Sequence, residues 1–276
     1  MSMSAIVTTN LTKRYGDLVA VDNLNIYIES GEIFGILGPN GAGKTTTIMM
    51  LCTLLKPTSG TATVNGFDVV KHPSRVRESI GIVFQDPSSD DTLTGYENLK
   101  LHALMYDVPM KEIDARIDRV MTLVDLKDRM HDIVKKYSGG MRRRMEIARG
   151  LLHEPKILFL DEPTIGLDPQ TREHMWKYIE SLAKRLNMTI ILTTHYMEEA
   201  ENLCRRVAIV DHGKIAVLDT PANLIASIGG DISVKTHSID MNDVFFHYTG
   251  RAIREEEGDD MGRLRAYTNV RQSNNK

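Results

Sequence analysis

Gly38-Pro39-Asn40-Gly41-Ala42-Gly43-Lys44-Thr45-Thr46 is the stretch on which the reading of this chain turns. It fits the phosphate-loop pattern G-x-x-x-x-G-K-[ST]. Ile33-Phe34-Gly35-Ile36-Leu37 before it reads as a short buried strand, and Thr47-Ile48-Met49-Met50-Leu51 after it continues without a breaker as a helix. Strand, glycine loop and helix are the context this motif needs. The glycines let backbone N–H groups turn toward phosphate oxygens, and the helix N-terminus adds partial positive charge. Lys44 is placed to reach the β- and γ-phosphates, and the Thr45 hydroxyl to ligate magnesium. A glycine turn without a ligand is the plain alternative, and the flanking elements weigh against it.

Composition bounds the rest. The chain has 276 residues, 42% of them hydrophobic, enough for one good-sized core or two small ones. A net charge of −3, from 34 basic and 37 acidic residues, gives no basic excess pointing to nucleic acid. Cys52 and Cys204 lie far apart with no metal-type spacing, so a reduced, cytosolic protein is expected. No apolar run approaches the roughly 18 residues of a membrane helix. Met1-Ser2-Met3-Ser4-Ala5 has neither a basic n-region nor an apolar core, so no signal peptide is expected.

Taken in order, residues 5–30 alternate apolar and polar, with Asn23-Leu24-Asn25-Ile26-Tyr27-Ile28 as the clearest strand. Tyr15 falls in the turn Arg14-Tyr15-Gly16. It can stack on a nucleotide base or be an ordinary turn tyrosine, and the residues alone leave both readings open. Asn65-Gly66 is a hairpin signal. Ile80-Gly81-Ile82-Val83-Phe84 is a buried strand ending at Gln85. From about 86 to 154 the texture is helical. Thr94 with Glu97 fits a capping box, and Ile113, Ile117, Val120 and Val124 form one apolar stripe. Met141, Met145, Ala148 and Leu152 form another behind Ser138-Gly139-Gly140, which leaves Arg142-Arg143-Arg144 as a solvated helix face.

Further on, Ile157-Leu158-Phe159-Leu160 ends at Asp161-Glu162, a helix follows Pro169, and Thr189-Ile190-Ile191-Leu192-Thr193-Thr194 ends at His195. Residues 207–217 form a hairpin. Strands alternating with helices imply a largely parallel sheet with ligands at the C-terminal strand ends. Gly38, Gln85, Asp161 and His195 all follow strands and so point to one place. In the tail, residues 221–228 read as a short helix, 231–235 as a strand, 244–248 as an aromatic patch, 255–260 as an acidic run and 270–276 as a frayed polar end.

An apolar strand ending in two carboxylates complements the phosphate loop. Asp161 would hold magnesium opposite Thr45, and Glu162 would orient or deprotonate the attacking water. A lone Asp-Glu pair is more often a solvated strand end, and a lone histidine more often structural. Beside a γ-phosphate, His195 makes sense as a stabiliser of charge on the transferred group. Ser138, Gly139 and Gly140 at the head of a helix make a second anion site or a capped glycine turn.

With these motifs in this order, residues 4–220 resemble the nucleotide-binding subunit of ATP-binding-cassette (ABC) transporters. The resemblance matches Tyr15 to the adenine-stacking aromatic and Gly38, Pro39, Asn40, Gly41, Ala42, Gly43, Lys44, Thr45 and Thr46 to Walker A. Gln85 matches the Q-loop glutamine, which senses magnesium and the water and contacts the transmembrane partner. Ser138, Gly139 and Gly140 match the signature, Asp161 and Glu162 match Walker B and the catalytic glutamate, Asp168 matches the D-loop, and His195 matches the switch histidine. Tyr137 and Met141 replace the outer residues of the usual Leu-Ser-Gly-Gly-Gln, and Ile165-Gly166 the usual Ser-Ala. The stretches Thr164-Ile165-Gly166-Leu167-Asp168-Pro169 and 243–251 look most like daunorubicin-resistance-type exporter ATPases, although the tail here is shorter.

The resemblance implies an α/β fold: a P-loop NTPase, RecA-like core with a mainly parallel sheet, an antiparallel β subdomain and an inserted helical subdomain. It places the ATPase domain at 1–220, the helical subdomain at about 86–154, and a short, partly disordered extension at 221–276. It implies an ATPase using ATP and Mg2+, a homodimer on ATP binding, an integral-membrane permease as partner, no nucleic acid, and a cytoplasmic site on the inner face of the cell membrane. Such a subunit powers an exporter of a drug or other small molecule. A soluble ABC ATPase of DNA repair or translation is the rival reading. It calls for a long coiled coil or two cassettes, and this chain has neither. A kinase-like P-loop enzyme would leave residues 138–140 and His195 without a role.

Overall fold

The computed structural model describes residues 4–228 and 239–250. The strand expected at 231–235, the acidic run at 255–260 and the polar end at 270–276 lie outside the described residues.

The chain begins with β1 (Ser4–Tyr15), β2 (Leu18–Leu24), β3 (Tyr27–Glu29) and β4 (Ile33–Leu37). After the glycine loop come α1 (Lys44–Leu51), β5 (Ser59–Val64), β6 (Phe67–Asp68), α2 (Pro73–Ser79) and β7 (Ile80–Val83). The helical block holds α3 (Gly95–Met105), α4 (Met110–Leu123) and α5 (Gly139–Leu151). The core resumes with β8 (Ile157–Asp161), α6 (Pro169–Leu186), β9 (Thr189–Thr194), α7 (Met197–Leu203), β10 (Arg206–Asp211) and β11 (Lys214–Asp219). Two helices, α8 (Pro221–Ile228) and α9 (Met241–Thr249), close it.

Among the described residues a six-stranded sheet runs in the order β11-β10-β4-β9-β8-β7, parallel throughout except at β11. A second, antiparallel sheet has the order β2-β1-β5-β6, with β3 also on β1. The apolar runs of the parallel strands divide with period two. Leu158, Leu160, Ile190, Leu192, Val207 and Ile209 enter one core with α4, α5, α6 and α7. Ile157, Phe159, Ile191, Ala208 and Val210 enter the other with α1 and the antiparallel sheet. A sheet covered on both faces needs apolar residues at every strand position, which is why these strands read as unbroken apolar runs. Each such fully buried side chain contributes about 1.5–3 kcal/mol.

Register fixes the site. Leu37 pairs with Thr194, Thr193 with Asp161, and Leu160 with Val83. Parallel strands in this register end at one edge of the sheet, so the residues beyond them emerge side by side. The capping box at Thr94 and Glu97 forms as expected, as do both helical stripes, with Met145, Ala148 and Leu152 buried and Met141 partly so.

Two expectations are corrected here. The single strand read over 23–28 is split: Asn23 takes φ 51° and ends β2 near Leu24, and β3 starts only at Tyr27. Asparagine tolerates this left-handed conformation. The Asn25 side chain bridges the break, accepting from the Asn10 N–H at 2.9 Å and donating to the Asn23 carbonyl at 2.7 Å. The arginine run is not a uniformly solvated face. Arg143 is 7% exposed, because α5 packs on two sides.

The C-terminal helices pack into the main core. Leu224, Ile228, Met241, Val244 and Phe245 are buried with Met197, Ala200 and Leu203 of α7.

Candidate active site

The phosphate loop owes its shape to two glycines. A Cβ at Gly38 would stand 2.3 Å from the Val210 carbonyl oxygen. Gly43 has φ 102° and a Cβ there would stand 2.4 Å from the Ala20 carbonyl oxygen. Either substitution drives a side chain into rigid backbone. Gly43 is also the N-cap of α1 and supplies no side-chain cap, and no acidic residue lies in the first turn. The first N–H groups of α1 therefore meet no competing side-chain anion, which is what a phosphate at a helix N-terminus requires.

Lys44 folds back over this loop. Its Nζ donates to the carbonyls of Gly38 at 2.8 Å and Pro39 at 3.2 Å and lies 3.2 Å from Glu162 Oε1. The other Glu162 oxygen, Oε2, is 3.0 Å from His195 Nδ1. Burial alone would push the Glu162 carboxyl up. The His195 hydrogen bond and the Lys44 charge outweigh it and hold the group below its ordinary value. Glu162 has φ 47°, a left-handed conformation costing about 1–3 kcal/mol in a non-glycine residue. Its N–H donates to both Thr193 oxygens, Oγ1 at 3.1 Å and the carbonyl at 3.2 Å, which fixes the kink.

Beside this trio, the Thr45 hydroxyl donates to Asp161 Oδ2 at 3.1 Å, and Thr193 donates its hydroxyl to Asp161 Oδ1. Thr45 and Asp161 are hard oxygen donors, the kind magnesium takes. Among the described residues no cluster of three or more His, Cys, Asp and Glu could hold a metal by itself. A cation sharing its ligands with nucleotide phosphates fits this donor set, since magnesium seldom has an all-protein cage.

Other expected site residues sit nearby or apart. Tyr15 is the last residue of β1, half-exposed with the Lys13 Nζ 5.2 Å from its ring centre. Its hairpin partner β2 carries Ala20 against Gly43, so the tyrosine stands at the rim of the phosphate loop. Gln85 is exposed, two residues past the end of β7. Asp168 caps α6 by accepting the Thr171 N–H at 3.0 Å. Ser138 caps α5 through the Met141 N–H at 3.3 Å, and Gly139 and Gly140 lie against Leu167 and Thr171 at the start of α6. Among the described residues no hydrogen bond or ion pair joins 138–140 to the phosphate loop of the same chain. Tyr137 turns inward and donates its hydroxyl to the Arg129 carbonyl at 2.8 Å.

A family model described as ABC transporter matches residues 21–165. The chain is 42% identical over 231 residues to the daunorubicin resistance ATP-binding protein DrrA3 of Streptomyces coeruleorubidus, covering 84% of this chain and 73% of that protein. It is 39% identical over 236 residues to the linearmycin resistance ATP-binding protein LnrL of Bacillus subtilis (strain 168), covering 86% and 76%. The chain belongs to the ABC transporter family. Among solved structures of the family, cbiO1 of Clostridium perfringens, part of the transporter complex cbiONQ, superposes with TM-score 0.75 at 31% identity, over 81% of this chain and 91% of that one. An ATP-binding cassette solved as a dimer in a post-hydrolysis state bound to ADP and Pi superposes with TM-score 0.69 at 26% identity, over 78% and 98%.

This ABC subunit binds and hydrolyses ATP. Among its described residues no helix is long and apolar enough to cross a membrane. Its sequence hid three residues of the site. Arg143 of α5 donates to the carbonyls of Phe84, Asp161, Glu162 and Pro163. Thr193 braces both acids. Glu199 of α7 receives Thr164 Oγ1 and Trp176 Nε1. A second stripe on α5, Arg143, Ile147 and Gly150 at 4-3 spacing, was the available signal for a helix buried on both sides.

Proposed function

We propose that this chain is the ATPase subunit of a membrane exporter for a drug or other small molecule, working as a head-to-tail pair of copies. The observation that carries the reading is the chain Lys44–Glu162–His195, set beside Thr45–Asp161 at one sheet edge, while residues 139 and 140 lie against Leu167 and Thr171 rather than against the phosphate loop. A γ-phosphate at the loop needs charge around all its oxygens. One copy supplies Lys44, the α1 N-terminus and His195. Ser138, Gly139 and Gly140 would supply the remaining donors from the other copy. Glu162 orients and deprotonates the attacking water, Gln85 and Asp168 line the closing interface, and Tyr15 stacks on adenine. Thr45 and Asp161 would hold Mg2+, which neutralises charge on the β- and γ-phosphates.

Kinship to daunorubicin resistance, linearmycin resistance and Nod factor export ATP-binding proteins supports export over import. The subunit then sits on the inner face of the cell membrane, bound to an integral-membrane permease that chooses the cargo. Glu162→Gln tests the reading: it should bind ATP, release phosphate about 100-fold or more slowly, and run as a dimer with ATP by light scattering. Normal turnover, or a monomer at saturating ATP, would reject it. Co-purification from native membranes should recover a polytopic membrane protein.

A further inference from the structure

Helix α5 begins at the residues that would cap a partner's nucleotide, and one turn later it grips the active site of its own chain. Arg143 is 7% exposed, and among the described residues no ion pair joins its guanidinium to a carboxylate, although the charges of Glu146 and Glu199 act on it from nearby. Instead Nε donates to the Pro163 carbonyl at 2.8 Å, Nη1 to Phe84 at 2.6 Å, and Nη2 to Asp161 at 2.8 Å and Glu162 at 2.9 Å. Four of the five N–H donors of an arginine are thus spent on backbone. Three of the acceptors are consecutive, spanning the kink at Glu162, where φ is 47°. The fourth, Phe84, directly precedes Gln85.

One turn further, Glu146 accepts the N–H groups of Ser88 at 3.2 Å and Ser89 at 2.9 Å, and the Ser88 hydroxyl at 3.1 Å. Arg143 and Glu146 therefore bracket Gln85 from one helix. The loop holding Gln85 cannot shift relative to α5 without breaking a buried charged hydrogen bond, the costly kind to lose. Nor can α5 tilt without pulling on the carbonyls that set the direction of the Glu162 side chain.

We infer that Arg143 is a positioning residue that carries the seating of Ser138, Gly139 and Gly140 against one nucleotide to Glu162 and Gln85 at the other, so that the two sites of a pair sense each other through it. This rests on the head-to-tail pairing proposed above. In such a pair, the cap on α5 serves one site and the Asp161-Glu162 pair of the same chain serves the other. Arg143 is the physical link between them. Lysine cannot replace it, since three donors on one atom cannot fork across four carbonyls.

The test compares the full-length wild type, Arg143→Lys and Arg143→Ala in ATP hydrolysis across ATP concentrations, with ATP affinity by calorimetry and Tm alongside. Wild type should show a Hill coefficient above 1, up to about 2 for two sites. Arg143→Lys should lose about 10- to 100-fold in kcat, keep KM and Kd within about 3-fold, and fall to a Hill coefficient of about 1. A residue that only holds the fold would lower Tm and leave the Hill coefficient alone. Rates for each variant are therefore taken well below its own Tm, and should Arg143→Ala not fold, Arg143→Lys decides. Wild-type kcat and cooperativity in Arg143→Lys would overturn the inference alone, as would a wild type that pairs and turns over without cooperativity. A wild type that neither pairs nor hydrolyses ATP would overturn the proposed function and this inference with it.

Discussion

Lys44 Nζ stands 3.2 Å from Oε1 of Glu162, with 5% and 7% of the two side chains exposed. The cation that would meet the γ-phosphate and the carboxylate that would face the water are thus one electrostatic unit. Lys44→Ala should weaken ATP binding about 10- to 100-fold, the scale of losing a buried charged contact to phosphate. It also takes away one of the two groups holding the Glu162 carboxyl down, so any residual hydrolysis should need a higher pH than in wild type. Calorimetry with ATP checks the first effect. Unchanged affinity would remove the phosphate-loop assignment.

Tyr15 should matter for the base and not for the fold. Its ring is 48% exposed at the end of β1, so it contributes little to the core. A ring stacked on a base is worth about 1–3 kcal/mol. Tyr15→Ala should therefore weaken ATP and ADP about 10-fold, leave inorganic tripolyphosphate binding unchanged, and hold Tm. An equal loss for tripolyphosphate would mean that Tyr15 acts through the loop and not through adenine.

Tyr137 should show the reverse. It is buried, and its hydroxyl donates to the Arg129 carbonyl at 2.8 Å inside the helical block. Tyr137→Phe removes that bond and leaves the carbonyl with the Asp132 N–H at 2.9 Å as its donor, at a cost of about 1 kcal/mol, or about 2–4 °C in Tm. ATP affinity should not change, because the side chain points away from residues 138–140. A large loss of turnover with unchanged Tm would place the hydroxyl in the chemistry.

The parallel sheet was legible because covering both faces forces apolar residues at every strand position, and no other demand competes there. The phosphate loop was legible because steric contact at Gly38 and Gly43 admits only glycine. Reading failed where one residue answers to two neighbours. Arg143 looked like a surface arginine because charge and a single apolar stripe dominate α5, yet its partners are carbonyls, which leave no mark in a sequence. Thr193 reads as a strand threonine until the register places it opposite Asp161. The break at Asn23 turns on its left-handed φ and on the reach of the Asn25 amide, neither visible as periodicity.

Glu199 offers a test of pH dependence. It lies fully buried in the first turn of α7, where Oε1 accepts Thr164 Oγ1 at 2.8 Å and Trp176 Nε1 at 2.9 Å. Burial pushes its carboxyl up from the ordinary 4.5, by more than these donors and nearby Arg172 pull it down. A carboxyl raised on folding favours the protonated native state. That stability is fully present below pH 4.5 and is lost as pH rises through the folded value. At pH 8 the wild type therefore carries the cost of a buried charge. Glu199→Gln keeps an oxygen to accept from Thr164 and Trp176 and carries no charge. It should be more stable than wild type at pH 8 by on the order of 1 kcal/mol, with the advantage shrinking to nothing as pH falls toward 4.5. Thermal melts from pH 8 to pH 5 measure this directly. A variant less stable than wild type at pH 8, with a deficit that closes on acidification, would show that the carboxylate charge is itself held by Arg172 and Arg143.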